Sequence, residues 1–202
     1  KLALQHEMGL TESPDVPLLG VVSRLNHQKG TDLLLDIAPH LAALPAQLVI
    51  LGNGPAELEH KLALLALTYP GVIAVRMGFN DRLSHLIEAG ADCFLMPSRF
   101  EPCGLNQMYS QRYGTPPVVH ATGGLKDTVI DCTPENLANG SASGFMFAPM
   151  TADELLSTIK KAVKTYHDKK TWLRLQKNGM SKDFSWNASA SAYHDLYLKL
   201  RR

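Results

Sequence analysis

The stretch LLGVVSRLNHQKGTDLLLDIAPHLAALPAQLVIL, running from Leu18 to Leu51, decides the fold. Leu18–Val22 is an apolar run of strand length without polar alternation, the pattern of a strand covered on both faces. A polar loop, Ser23–Gly30, follows it. Apolar residues return at helical spacing through Asp32–Leu44, with Thr31 or Asp32 near the N-cap. Gln47–Leu51 is a second apolar run. Strand, helix and strand in this order form a βαβ unit, with parallel strands and a right-handed crossover.

The alternation continues beyond this unit. Pro55–Thr68 is predicted helical, with Pro55 suited to the first turn. Val72–Met77 is a third strand, Asp81–Ala89 a short helix closed by Gly90, and Asp92–Met96 a fourth strand ended by Pro97. Leu105–Tyr113 reads as a helix with Gly114 beyond it, Pro117–His120 as a fifth strand and Gly144–Phe147 as a sixth. Asp131–Ser143 is polar and rich in small residues, and reads as a surface excursion. Ala152–His167, Lys170–Met180 and Ala188–Leu200 are helices, the last with Tyr193, Leu196, Tyr197 and Leu200 on one face. The expected fold class is α/β, a Rossmann-like doubly wound parallel sheet in a single domain over 1–202. Its core extends to about residue 182 and a terminal helix occupies about 183–202.

Composition narrows the function classes. Twenty Lys and Arg against nineteen Asp and Glu leave a net charge of +1, which argues against general binding to nucleic acid or anionic membrane while allowing one local anion site. No apolar run approaches the roughly 18–20 residues that cross a bilayer. Three cysteines, Cys93, Cys103 and Cys132, fit neither a disulfide scaffold nor a zinc ribbon and suit a reducing cytoplasm as unbridged thiols. The chain starts at Lys1 with a helical pattern and no signal core, which reads as part of a longer protein.

Doubly wound sheets bind ligands outside the carboxyl ends of their strands, where the strand order reverses. The segments after the strands therefore carry the chemistry. Ser23–Gly30 brings Arg24 and Lys29 close to a helix start, where a planar fork and a point charge suit a pyrophosphate and the charge that develops on a departing phosphate. The bland alternative is two solvated loop cations. Thr122-Gly123-Gly124-Leu125 pairs two glycines after a strand, which lets backbone N–H groups approach a phosphate, or simply makes a tight turn. Glu101 lies past the fourth strand, stiffened by Pro102. It could accept hydrogen bonds from sugar hydroxyls, or merely favour a helix N-terminus. Phe79 follows the third strand and is either a stacking platform for adenine or core. Gly52-Asn53-Gly54-Pro55-Ala56-Glu57 begins like a dinucleotide fingerprint, but Glu57 stands at the third glycine position and the segment follows the second strand.

Taken together and in order, Val22-Ser23-Arg24-Leu25 with Gln28-Lys29-Gly30, Pro97 through Gln107, Tyr113-Gly114-Thr115, Thr122 through Val129 and Asp183-Phe184-Ser185-Trp186 resemble the C-terminal domain of bacterial glycogen synthases and plant starch synthases. The resemblance covers essentially the whole chain. It implies the C-terminal half of a two-domain glycosyltransferase B fold, with the active site in the cleft between the halves. It implies that Arg24 and Lys29 contact the diphosphate of ADP-glucose, and that Gly123, Gly124 and Leu125 offer it backbone N–H groups, with Thr122 nearby. Glu101 would contact the transferred glucose, with Cys103, Gly104 and Leu105 adding backbone contacts. Phe79 matches an aromatic position beside the adenine that is usually Tyr. Glu101, Arg24 and Lys29 are thus the catalytic candidates, with ADP-glucose as donor, no metal and no separate cofactor. Many retaining relatives place a second Glu eight residues after the first; here that position is Tyr109, as in glycogen synthases of this type. The N-terminal acceptor domain with its Lys-Thr-Gly-Gly-Leu motif is absent from this sequence, so the α-1,4-glucan acceptor would be held mainly elsewhere and the chain alone would be inactive.

Two other classes compete. A nicotinamide-dependent oxidoreductase needs a complete glycine fingerprint on the first strand, which instead reads Gly20-Val21-Val22-Ser23-Arg24. A noncatalytic nucleotide-binding module would keep the phosphate cradle without needing Glu101 to face a sugar.

Overall fold

The structure, a computed structural model, describes residues 1–201. The strands are β1 (Leu18–Arg24), β2 (Gln47–Asn53), β3 (Ile73–Met77), β4 (Cys93–Met96), β5 (Pro117–His120) and β6 (Phe145–Phe147). The helices are α1 (Leu2–Met8), α2 (Thr31–Ala42), α3 (Ala56–Thr68), α4 (Asp81–Gly90), α5 (Asn106–Tyr113), α6 (Gly123–Thr128), α7 (Pro134–Ala138), α8 (Ala152–His167), α9 (Lys169–Met180) and α10 (Trp186–Leu200). All six strands pair in parallel, in the order β3-β2-β1-β4-β5-β6. This is the expected α/β, doubly wound sheet.

Successive strand residues feed opposite faces. Leu19, Val21, Leu48, Ile50, Leu95 and Val118 pack with α2, α8 and α9 residues such as Ile37, Ile159 and Leu175. Leu18, Val49, Leu51, Ala74 and Phe94 pack on the other face with Leu4 of α1 and Leu83 and Ile87 of α4. Both faces are covered, which is why the strands read as unbroken apolar runs.

The strand order reverses at β1, and the sheet opens there. β1 pairs with β2 along its whole length, from Leu18–Gln47 to Arg24–Asn53. Its pairing with β4 ends at Gly20–Phe94. Beyond that point the ends of β1 and β4 diverge. The exposed β1 edge is partly satisfied by a side chain, since Asn106 Nδ2 donates to the Val22 carbonyl at 3.0 Å.

One local expectation is sharpened and one corrected. Thr31 is the first residue of α2, next to its N-cap Gly30, with Asp32 in the first turn. Asn26 caps a preceding 3-10 turn, His27–Lys29, its Oδ1 accepting from the Lys29 N–H at 3.0 Å. Gly30, at φ +73°, then starts α2 without a side-chain cap. A Cβ at Gly30 would collide with the Pro97 carbonyl, so both its left-handed φ and its packing require glycine. The segment Asp131–Ser143 is also more than a surface excursion. Thr133 caps α7 through its hydroxyl, Pro134 occupies the first turn, and Cys132, Ala142 and Ser143 are buried.

The terminal helix α10 begins at Trp186 and has no buried residue. Its face of Tyr193, Leu196, Tyr197 and Leu200 is exposed, as is Trp186.

Candidate functional site

The loops after β1, β4 and β5 are tied together largely by groups other than the predicted charged ones. Arg99 makes a bidentate ion pair with Asp32 on α2, at 2.8 and 2.6 Å. Burial alone would raise the Asp32 carboxyl, but the hydrogen bonds and charge of Arg99 outweigh it and hold it below the usual range. The Arg99 N–H also donates to the Gln28 carbonyl at 2.8 Å. His120, at the end of β5, bonds the Ser98 carbonyl through Nδ1 at 2.9 Å. The Gly124 N–H donates to the Glu101 carbonyl at 3.0 Å.

These ties place a cavity of about 370 Å³ in the divergence between β1 and β4, lined by Ser23, Arg24, Lys29, Ser98, Glu101, Gly104, Leu105 and Asn106 among others. Five predicted residues, Arg24, Lys29, Glu101, Gly104 and Leu105, meet there. Lys29 and Glu101, 72 positions apart, form an ion pair whose side chains are 18% and 11% exposed. Ser98 Oγ lies 3.4 Å from the same Glu101 oxygen. Arg24 reaches only Gln28, at 3.5 Å, and keeps most of its donors for the cavity.

A second cavity, of about 300 Å³, shares Val22, Ser23, Arg24 and Asn106 with the first. Phe79 lines it at 86% exposure and is not core. Tyr109, Asp81, Ser84, His85 and Glu88 complete its polar side.

The remaining predicted residues lie around the first cavity and line neither one. Gly123, at φ +42°, and Gly124 press against backbone: a Cβ on either would collide with the carbonyl of Glu101 or Cys103. The glycine pair is therefore required for packing against the Glu101 loop. The Gly124 N–H is engaged there, and the Leu125 N–H donates to the Thr122 carbonyl at 3.1 Å. The Leu125 side chain is fully buried with Val119 and Val129. Thr122 sits at the N-cap of α6 without a side-chain cap bond. Cys103 is exposed, its thiol directed to the Gly104 carbonyl at 3.3 Å.

Sequence reasoning missed Arg99, Asp32, Asn106, Glu88 and His85. Among the described residues no group of three or more His, Cys, Asp or Glu is arranged to hold a metal ion, and no helix is long and apolar enough to cross a membrane.

Residues 8–181 match the family described as Glycosyl transferases group 1. The chain is 65% identical over 197 residues to a glycogen synthase of Nitrosomonas eutropha, covering 98% of this chain and 39% of that protein. It is 61% identical over 200 residues to the glycogen synthase of Nitrosospira multiformis, covering 99% of this chain and 40% of that one. It thus spans about two fifths of the length of these relatives. Among solved structures, the catalytic domain of starch synthase IV from Arabidopsis thaliana, bound to ADP and acarbose, superposes with a TM-score of 0.88 at 33% identity, over 98% of this chain and 41% of that one.

Proposed function

Since the chain belongs to the glycosyl transferases of group 1, we propose that it is the donor-binding half of a retaining glucosyltransferase of the glycogen and starch synthase type. The whole enzyme would move glucose from ADP-glucose to the non-reducing end of an α-1,4-glucan. The observation that carries this reading is the convergence of Arg24, Lys29 and Glu101 on one cavity at the reversal of strand order. Two cations there suit a diphosphate, and one carboxylate beside them suits sugar hydroxyls. The ADP of the starch synthase neighbour and the shared identity with glycogen synthases support the choice of donor.

In this mechanism Arg24 and Lys29 neutralise the diphosphate as the bond from the anomeric carbon to its oxygen breaks. The acceptor hydroxyl oxygen attacks on the same face, and its proton passes to the departing diphosphate, so configuration is retained. No step is assigned to a metal. Phe79 stacks on the base, and Gly123 contributes its N–H from the rim. The acceptor is held by a further domain outside this sequence, and α10 turns its apolar face toward that domain. Closure of the two halves excludes water that would otherwise hydrolyse the donor. The chain alone binds nucleotide and turns over nothing, and the enzyme works in the cytoplasm.

Calorimetric titration of the chain with ADP, UDP and NAD tests the reading. ADP should bind more tightly than UDP, and Arg24→Ala and Lys29→Ala should abolish the binding. Preference for NAD would overturn it. In the full-length enzyme Glu101→Ala should abolish glucosyl transfer; near-normal turnover would favour a noncatalytic module.

A further inference from the structure

Glu88 is an anomaly that the proposed mechanism does not use. It lies in the last turn of α4 with 3% of its surface exposed, yet it lines the second cavity. Its Oε2 is sealed from solvent and accepts no hydrogen bond. The nearest cation-forming group, His85 Nδ1, is 3.3 Å from Oε2 but not aligned for a bond. The other nitrogen of His85 lies 3.9 Å from Asp81 Oδ1, and Tyr113 meets the His85 ring edge-on. Burial pushes the Glu88 carboxyl above the usual carboxylate range, against the opposing influence of His85. A nearly buried carboxyl with one oxygen lacking a well-aligned hydrogen bond is costly, and His85 offsets that cost only in part.

Oε2 itself is out of a ligand's reach, so a partner in the cavity meets the carboxyl at its other oxygen. Arg24 lines both cavities and Phe79 lines the second, so a ligand held by both occupies the space that Glu88 also lines. A diphosphate would be repelled by Glu88 and has Arg24 and Lys29 instead. The groups that can meet a carboxylate are those bringing hydrogens, namely the ribose hydroxyls and the exocyclic amine of the base. We propose that Glu88, steadied by His85, recognises the nucleoside of the donor by accepting a hydrogen bond from its sugar or base. The inference rests on the reading of this site as a nucleotide site and assigns the residue that distinguishes a nucleotide from a bare diphosphate.

Calorimetry on the chain with pyrophosphate and ADP separates the two ideas. Glu88→Leu should weaken ADP binding about 10- to 100-fold, as expected for loss of a hydrogen bond to a charged group, and leave pyrophosphate binding unchanged. Glu88→Gln, which keeps one acceptor, should lose less. Purine riboside 5′-diphosphate lacks the amine, and 2′,3′-dideoxy-ADP lacks the hydroxyls. Whichever lacks the hydrogen that Glu88 receives should bind wild type and Glu88→Leu alike. Three results would overturn the proposal: unchanged ADP affinity in Glu88→Leu, pyrophosphate affinity falling together with ADP affinity, or both analogues keeping the full wild-type to variant ratio. A wild-type chain that binds ADP no better than pyrophosphate would instead sink the nucleotide reading itself.

Discussion

Replacing Glu101 by Gln should tighten, not weaken, the hold of this chain on inorganic pyrophosphate. Lys29 and Glu101 are paired in a partly enclosed cavity. A phosphate that takes a second hydrogen of the same ammonium would sit about 4.5 Å from the Glu101 carboxylate, from ordinary hydrogen-bond lengths on a tetrahedral nitrogen. At an effective dielectric of about 20 the two anions repel by about 3–4 kcal/mol per unit charge. Because the cavity opens to water and salt, about half of that is expected to survive. Against it stands the looser Lys29 side chain once its partner is neutral, at about 0.5–1 kcal/mol. The balance is a gain of about 1 kcal/mol, roughly fivefold in affinity. Titration calorimetry of wild type, Glu101→Gln, Lys29→Ala and the double variant at low ionic strength measures it. The gain should shrink in the Lys29→Ala background and in high salt. Equal or weaker binding by Glu101→Gln would show that the carboxylate organises the lysine more than it competes with the phosphate.

Two further outcomes concern stability. Glu88→Leu should raise the melting temperature at pH 7. Burial raises the folded-state pKa of Glu88, so as pH rises the unfolded chain loses this proton first, and the folded chain is penalised above that range. Relief of about 1–3 kcal/mol corresponds to roughly 2–10 °C for a chain of this size, and it should fade towards pH 4, where both states largely hold the proton. Calorimetric melts at the two pH values check this, and a lower melting temperature at pH 7 would contradict it. Deleting residues 186–202 should shift the melting temperature by less than about 2 °C, because no residue of α10 is buried; a large fall would mean that the helix packs on this domain after all.

What the sequence revealed depended on range. The sheet was legible because each buried strand is a local apolar run, and each following loop is local too, so Arg24, Lys29 and Glu101 could be picked out by position alone. Their pairing was not legible, since nothing in the loop around Lys29 announces a partner 72 positions away. The glycine pair is visible in the sequence, but its neighbour is not: the backbone of Glu101 and Cys103 leaves no trace in the residues around Gly123. Asn26 serves a 3-10 turn ahead of α2, so the helical pattern that starts near Thr31 does not mark it as a cap. Glu88 reads as an ordinary helical acid. Only the packing of α4 beside β1 and α5 turns it into a buried wall of the cavity.

The division of labour within the site makes the substitutions above interpretable. The loops are held in place by the Arg99–Asp32 pair, by Asn106 on the Val22 carbonyl, by His120 on the Ser98 carbonyl and by Gly124 against Glu101. Apart from the backbone carbonyl of Glu101, none of these ties uses Arg24, Lys29, Glu101 or Glu88; the Lys29–Glu101 ion pair adds one further link between the β1 and β4 loops. Changing those four side chains therefore alters mainly the charge and hydrogen bonding offered to a ligand, since the ties above keep the frame in place. Changing Arg99, Asn106 or Gly123 moves the frame, and every ligand should then be affected alike. A variant that weakens ADP and pyrophosphate equally belongs to the frame or to the phosphate clamp, whereas one that separates them belongs to nucleoside recognition. Weakened ADP binding with unchanged pyrophosphate binding in Glu88→Leu would mark Glu88 as a residue with a function of its own, beyond being an acid trapped by the packing of α4.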